Sequence, residues 1–328
     1  MGACKFSHAA GGRIVQGSET VRPSGAGLSS WAAPLHLQHR TVSGLHAMPT
    51  TSSSRSTSAD ARSESTIAVA PGQDVAVRMY GRRRTGETSP LVVHFHGGAF
   101  VSGDLDSGCT IAGLLQEAGA LVVSVAYPLA PEHPFPQPLE TGYAVLQWAY
   151  RYRTRLAGTG APVYVAGEEA GGNLAAGVCL MARDQSHPPL AGQILVSPML
   201  DPCAGTPSLR AATEGSDACR WAQGWEKFLR CARDAEHPYA VPGTAQRLAG
   251  LPPTLLLVGD TDPMHDETLA YAARLEAAGL PVELHVLRKA ERWPDALLEP
   301  GTQACPCADE ARERFRRFME AGRCPAPR

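Results

Sequence analysis

The chain has no stretch approaching the roughly 18 consecutive apolar residues that a membrane-spanning helix needs. Its N-terminus also lacks the apolar core of a secretion signal. The opening "MGACKF" places Phe6 where a myristoylation signal requires Ser or Thr. A cytoplasmic protein is the expectation. An excess of charge of one sign is missing as well: 30 Lys and Arg against 32 Asp and Glu leave a formal net charge of -2. Nothing in that balance calls for nucleic acid or an anionic membrane as partner. A metal motif is absent too, because the C-x-C pair Cys305 and Cys307 is followed by no histidine and only by Cys324. Neither metal nor cofactor is expected. The nine cysteines are irregularly spaced and odd in number, which reads as reduced thiols rather than a disulfide framework.

What is present is ordinary for a globular chain of 328 residues, with 44% hydrophobic and 19% charged residues. Residues 1–62 are the exception. They are rich in Ser, Gly, Ala, Thr and Arg, hold one acidic residue before Asp60 (Glu19), and show no sustained periodicity. They read as a disordered extension; an organelle transit peptide, or Met48 as an alternative start, fits the same composition. From Thr66 onward "TIAVA" and "QDVAVRMY" alternate like an antiparallel pair, and "PLVVHFHGG" is an apolar run of buried-strand type. A strand and helix rhythm follows. Strands are expected at 121–126, 163–166, 193–197, 254–259 and 282–287, and helices at 111–118, 141–156, 170–183, 221–232, 267–278 and 308–321. This alternation predicts an α/β fold with a mostly parallel central sheet flanked by helices. Ligands in such sheets bind at the carboxyl ends of the strands.

Four segments fall at those ends. In "HFHGGAF", His94 to Phe100, two glycines let backbone N–H groups approach a ligand unobstructed. In "VYVAGEEAGGNLAAG", Val163 to Gly177, a strand meets a helix through a sharp glycine turn whose apex is Glu169. "GDTDPMHDE" places Asp262 just past a strand, and "VELHVLRKAERWP" places Arg292 beyond the next one.

From about Leu91 to the C-terminus these segments resemble the hormone-sensitive lipase family of α/β-hydrolases, proteins of carboxylesterase and lipase type. "HGGAF" is similar to the family's HGGGF motif, "AYPLAPEHPFP" (Ala126 to Pro136) to DYRLAPEHPFP, and "SPMLD", "LPPTLLLVG" and "DPMHDE" also match. The resemblance implies an α/β-hydrolase domain over 63–328 with a small helical cap, inserted at 201–246. It also implies an oxyanion hole of Gly97, Gly98 and Ala170 N–H groups, with His96 ordering that loop. The catalytic order Ser, Asp, His that the family uses reads here as Glu169, Asp262, Arg292, and the family's GDSAGG is GEEAGG with Glu168 ahead of the apex.

Those substitutions decide the chemistry that can be expected. Acyl-enzyme formation needs a hydroxyl nucleophile and an imidazole that takes a proton and returns it. A guanidinium stays protonated and cannot do this. No histidine lies beyond His285. The expectation is a hydrolase-family protein that runs no serine catalysis and binds a small acyl or hydrophobic molecule, with a homodimer left open. Two alternatives stand beside it: an active hydrolase or lyase using Glu169 as nucleophile or general base, and a carboxylesterase whose serine is Ser197 or Ser102. Glu169, held by the N–H groups of Gly97, Gly98 and Ala170, is expected as a carboxylate that fills the oxyanion hole. Arg292 is expected either between Glu169 and Asp262 or in solvent.

The remaining candidates are weighed against simple packing. His94 points to the opposite face from His96 and reads as packed, His285 as structural. His265 is the one substitute base near Asp262. Trp221, Trp225 and Phe228 form a helical stripe that packs inward or lines a pocket.

Overall fold

The computed structural model describes residues 62–70, 72–214, 219–288 and 306–322, all of them within one compact unit, Arg55–Arg328. The expected extension, but for Arg62, lies outside the described residues. So do Met48, Arg292, Cys305 and Cys324.

Eight strands form a single sheet: β1 (Arg62–Ala70), β2 (Gln73–Tyr80), β3 (Leu91–Phe95), β4 (Leu121–Val125), β5 (Val163–Glu168), β6 (Gly192–Val196), β7 (Thr254–Gly259) and β8 (Val282–Leu287). Their spatial order is β1-β2-β4-β3-β5-β6-β7-β8. The β1/β2 and β2/β4 pairs are antiparallel and the rest are parallel. The apolar runs of β3 to β7 follow from burial on both faces. Leu91, Val93 and Phe95 join one core while Val92 joins the other, and Val163 and Val165 alternate with Tyr164 and Ala166 in the same way.

The first core packs against α2 (Gln137–Leu156), α3 (Ala170–Asp184) and α7 (His265–Ala277), through Val145, Leu174, Val178, Tyr271 and Leu275. The second packs against α1 (Cys109–Glu117) and α8 (Pro306–Ala321). In α8 the buried positions Cys307, Ala311, Phe315 and Phe318 recur at one-turn spacing, which is the stripe a surface helix turns inward.

Between β6 and β7 the described residues form three short α-helices, α4 (Pro207–Ala212), α5 (Arg220–Phe228) and α6 (Ala232–Ala235), and a 3-10 turn at Pro242–Thr244. The single helix expected over 221–232 is thus broken. Leu229 is extended (φ -92°, ψ 114°), and the Asp234 carboxylate accepts hydrogen bonds from both the backbone N–H and the guanidinium of Arg230, at 3.0 Å each. The expectation of reduced thiols holds for four of the described cysteines and fails for two. Cys203 and Cys307 each take part in a disulfide, whereas Cys109, Cys179, Cys219 and Cys231 are free thiols. Spacing along the chain carried no sign of which cysteines the fold would bring within bonding distance.

Candidate functional site

The parallel strands β3, β5, β6 and β7 end on one edge of the sheet, and three of the four segments singled out in the sequence follow them there. The sharpest turn joins β5 to α3 at Glu169, whose backbone sits at φ 53°, ψ -117°. A non-glycine residue at positive φ costs energy and persists only where its surroundings fix it. Here they do. Glu169 N–H donates to Val196 O at 3.0 Å, and its carbonyl accepts from Met199 N–H at 3.0 Å. The glycines that follow allow helix and strands to cross in close contact: a Cβ on Gly171 would lie 2.0 Å from Phe95 O.

The loop after β3 lies against this turn. Ala99 and Phe100 adopt positive φ (49° and 67°), as does Gly98 at 121°. Two consecutive N–H groups of the loop donate to two consecutive carboxylates. Gly97 N–H reaches Glu168 Oε1 at 3.1 Å, and Gly98 N–H reaches Glu169 Oε2 at 2.9 Å. The expectation that Glu169 would engage Gly97 as well is therefore corrected, since Glu168 takes that donor. Ala170, the third residue assigned to the oxyanion hole, is fully buried as the first residue of α3. Glu168 is further bound by His94 Nε2 at 2.7 Å, and His94 Nδ1 meets Ser124 Oγ at 3.0 Å. His94 is packed within the sheet, as its position on β3 suggests.

His96 steadies the loop in three ways. Its Nδ1 hydrogen-bonds Gly97 O at 2.8 Å, its ring stacks on Tyr127 at 4.3 Å, and its carbonyl accepts from Tyr127 Oη at 2.7 Å. Burial lowers the imidazole's pKa, against the partial opposition of the Gly97 carbonyl and Glu168.

The other oxygen of Glu169 faces α5. Trp221 Nε1–H donates to Oε1 at 2.6 Å, and the Arg220 guanidinium stands 3.7 Å from the same atom. Sequence reasoning missed both partners. The stripe Trp221, Trp225, Phe228 divides: Trp225 and Phe228 pack on Phe100 at 4.8 and 4.1 Å, while Trp221 turns its polar edge to the turn. The available signal was chemical, because an indole N–H that leaves water needs an acceptor.

Asp262, past β7, is almost fully buried. It accepts from Ser197 Oγ–H at 2.6 Å and from Met264 N–H at 2.7 Å. Ser197 is itself 1% exposed at φ 44°. Ser102, the other serine considered, donates to Gly98 O. His265 opens α7, and its imidazole pairs with Asp266 at 3.1 Å. His285, on β8, pairs with Glu283 at 3.8 Å. Arg292, expected between Glu169 and Asp262 or in solvent, lies outside the described residues.

A sequence family described as alpha/beta hydrolase fold matches residues 92–291. The chain belongs to this family. Its likeness to individual α/β-hydrolases is broad. It is 37% identical over 207 residues to the esterase LipI of Mycobacterium tuberculosis, covering 60% of this chain and 63% of LipI. It is 32% identical over 226 residues to a gibberellin receptor of Arabidopsis thaliana, covering 62% of each. The chain thus spans less than two thirds of either relative's own length. Among solved structures, the esterase LipW of Mycobacterium marinum superposes with a TM-score of 0.68 at 34% identity, over 80% of this chain and 82% of that one. The ancestry of this α/β-hydrolase is that of carboxylic ester hydrolases. Among the described residues no helix is long and apolar enough to cross a membrane, and no cluster of three His, Cys, Asp or Glu could hold a metal.

Proposed function

We propose that the protein is a small-ligand binder descended from ester hydrolases, and that it forms no acyl-enzyme. The carrying observation is the Glu169 carboxylate at the apex of the turn, accepting from Gly98 N–H at 2.9 Å and Trp221 Nε1–H at 2.6 Å. A charged oxygen already sits on a donor that the family resemblance assigns to a reacting carbonyl. A neutral ester carbonyl is the weaker acceptor and does not displace it. Ser197 offers no substitute nucleophile, because it is buried and its hydroxyl is committed to Asp262. The segment 201–246 acts in this proposal as a cap, with α5 reaching the turn. The 32% identity to a gibberellin receptor supports a scaffold used for binding.

The relatives named as esterases favour a second reading, in which Glu169 attacks the ester or serves as general base. Attack by Glu169 would leave an acyl anhydride that must still be hydrolysed by an activated water, and His265, the substitute base read near Asp262, pairs with Asp266. An assay with a short-chain nitrophenyl ester separates the two. The proposal expects no turnover above background and thermal stabilisation by a bound ligand. Turnover that Glu169→Gln abolishes would establish the second reading and end the first.

A further inference from the structure

We infer that the cavity between α7, the loop after β6 and the 3-10 turn at Pro242–Thr244 is a second binding site, and that it takes a primary ammonium on a short apolar stem, held by Glu267 and Asp201. It shares no residue with the turn at Glu169 and does not depend on the binder reading above.

The motif "DPMHDE" that carries Asp262 ends in two further acids, Asp266 and Glu267. Both lie in the first turn of α7, and both line a cavity of about 210 Å³ together with Asp201. Glu267 is only 7% exposed. Its Oε2 accepts the N–H groups of both Leu200 and Asp201, so the loop after β6 is tied to the start of α7. Oε1 takes no hydrogen bond among the described residues, yet it is not one of the unpartnered atoms sealed from solvent. It therefore opens on the cavity that Glu267 lines. Asp201 repeats the arrangement: Oδ1 accepts Cys203 N–H at 2.9 Å, and Oδ2 accepts nothing among the described residues. Buried polar atoms are nearly always paired, so an acid nine-tenths buried with one oxygen left over on a cavity wall marks the place of a donor.

The charges around Glu267 make that donor a cation. Burial, with the charges of Asp201 and Asp262 adding to it, pushes the Glu267 carboxyl up to about 8, so near neutral pH it holds a proton that a bound cation would replace. Asp266 contributes a further negative charge, its oxygens engaged by the His265 imidazole and Ser208 N–H. Arg274, the one cation on the wall, directs two of its N–H groups to Gly243 O and Ala245 O. These acids form no metal-holding group among the described residues. An ammonium spans more widely set acceptors, because its N–H···O contacts are about 2.9 Å long against about 2.0 to 2.6 Å for hard metal ions, and its three donors turn freely toward them. Leu200, Ala270 and Tyr271 complete the wall and face the stem. The volume is smaller than the roughly 300 to 1,000 Å³ of pockets for drug-sized ligands, which limits the stem to a few carbons.

The test titrates propylammonium chloride into the full chain by calorimetry at fixed ionic strength. The expected dissociation constant is of roughly millimolar order at pH 8.5 and about twentyfold weaker at pH 6.5, where Glu267 must first lose its proton. Buffers of different ionisation heat should register that proton leaving at pH 7. Glu267→Gln keeps both backbone bonds on its carbonyl and turns an amide N–H2 into the cavity; it should weaken binding at least about tenfold and abolish the pH dependence. It leaves Asp201, Asp262, Asp266, His265 and Arg274 in place, so the flat profile assigns the titration to Glu267 itself. Asp201→Asn should weaken binding about fivefold and carries the test should the glutamine variant fail to fold. Propionate, equal in size and opposite in charge, should not bind. The proposal is overturned by the lack of saturable binding, by an affinity equal at the two pH values, by binding that survives both substitutions, or by propionate binding as tightly as propylammonium.

Discussion

Replacing Glu267 by glutamine isolates one buried titration and gives it a sign. Glu267 lies in the first turn of α7 and is almost fully buried. Burial pushes its carboxyl up to about 8; the Leu200 and Asp201 N–H groups oppose this and the Asp201 and Asp262 charges add to it. The unfolded chain releases this proton near the ordinary glutamate range of about 4.3. Between those values the native state binds the extra proton, so stability is greatest at low pH in this window and falls as pH rises through 8. From pH 6.5 to 8.5 the loss amounts to about 2 kcal/mol. Both backbone donors reach the same oxygen, Oε2, at 2.8 and 2.5 Å. A glutamine whose carbonyl takes that position keeps both bonds and titrates nothing. Urea unfolding at the two pH values should show a wild-type midpoint falling by about 0.7 M, for a slope of about 3 kcal/mol per M, while Glu267→Gln stays level. Parallel curves for the two proteins across this range would refute the argument.

Gly171→Ala should prevent folding, because its Cβ would lie 2.0 Å from the Phe95 carbonyl, whereas Gly113→Ala on α1 meets nothing within 4 Å and should raise stability by up to about 1 kcal/mol; soluble yield and melting temperature read both. Tyr127→Phe removes the hydroxyl that holds the His96 carbonyl at 2.7 Å and should cost about 1 to 2 kcal/mol in urea unfolding. Glu169→Gly relieves a positive φ worth about 1 to 3 kcal/mol but forfeits two bonds to a charged acceptor worth about 1.5 to 3 kcal/mol each. Its melting temperature should fall, and a rise would mean that the carboxylate does not hold the turn together.

Much of the sheet is legible in the sequence because buried parallel strands are nearly pure apolar runs. The strands expected at 254–259 and 282–287 coincide with β7 and β8. Where a strand carries polar residues the reading fails: β5 was expected to stop at residue 166 but runs to Glu168, whose charge reads as loop until Gly97 N–H and His94 are seen to satisfy it. The helix α4 was overlooked although its start is signalled, with Thr206 capping Leu209 N–H at 3.4 Å and Pro207 beginning the first turn. The turn at Glu169 was visible from its glycines. Its indole and guanidinium partners were not, because they belong to a helix about fifty residues later whose approach depends on the packing of Trp225 and Phe228 on Phe100.

The two adjacent carboxylates also explain why a charge is tolerated at so tight a turn. Glu168 ends β5 and Glu169 forms the apex, so their side chains diverge and each meets a different N–H of the same loop. Consecutive like charges repel, but here each is hydrogen-bonded separately, and bonds of this type are about twice as strong as neutral ones. The loop after β3 is thereby pinned at two successive residues, with His96 and Tyr127 bracing it from behind. With a glutamate at the apex, Gly98 N–H is taken up by the Glu169 carboxylate at 2.9 Å, and the donor becomes part of what holds loop and turn together.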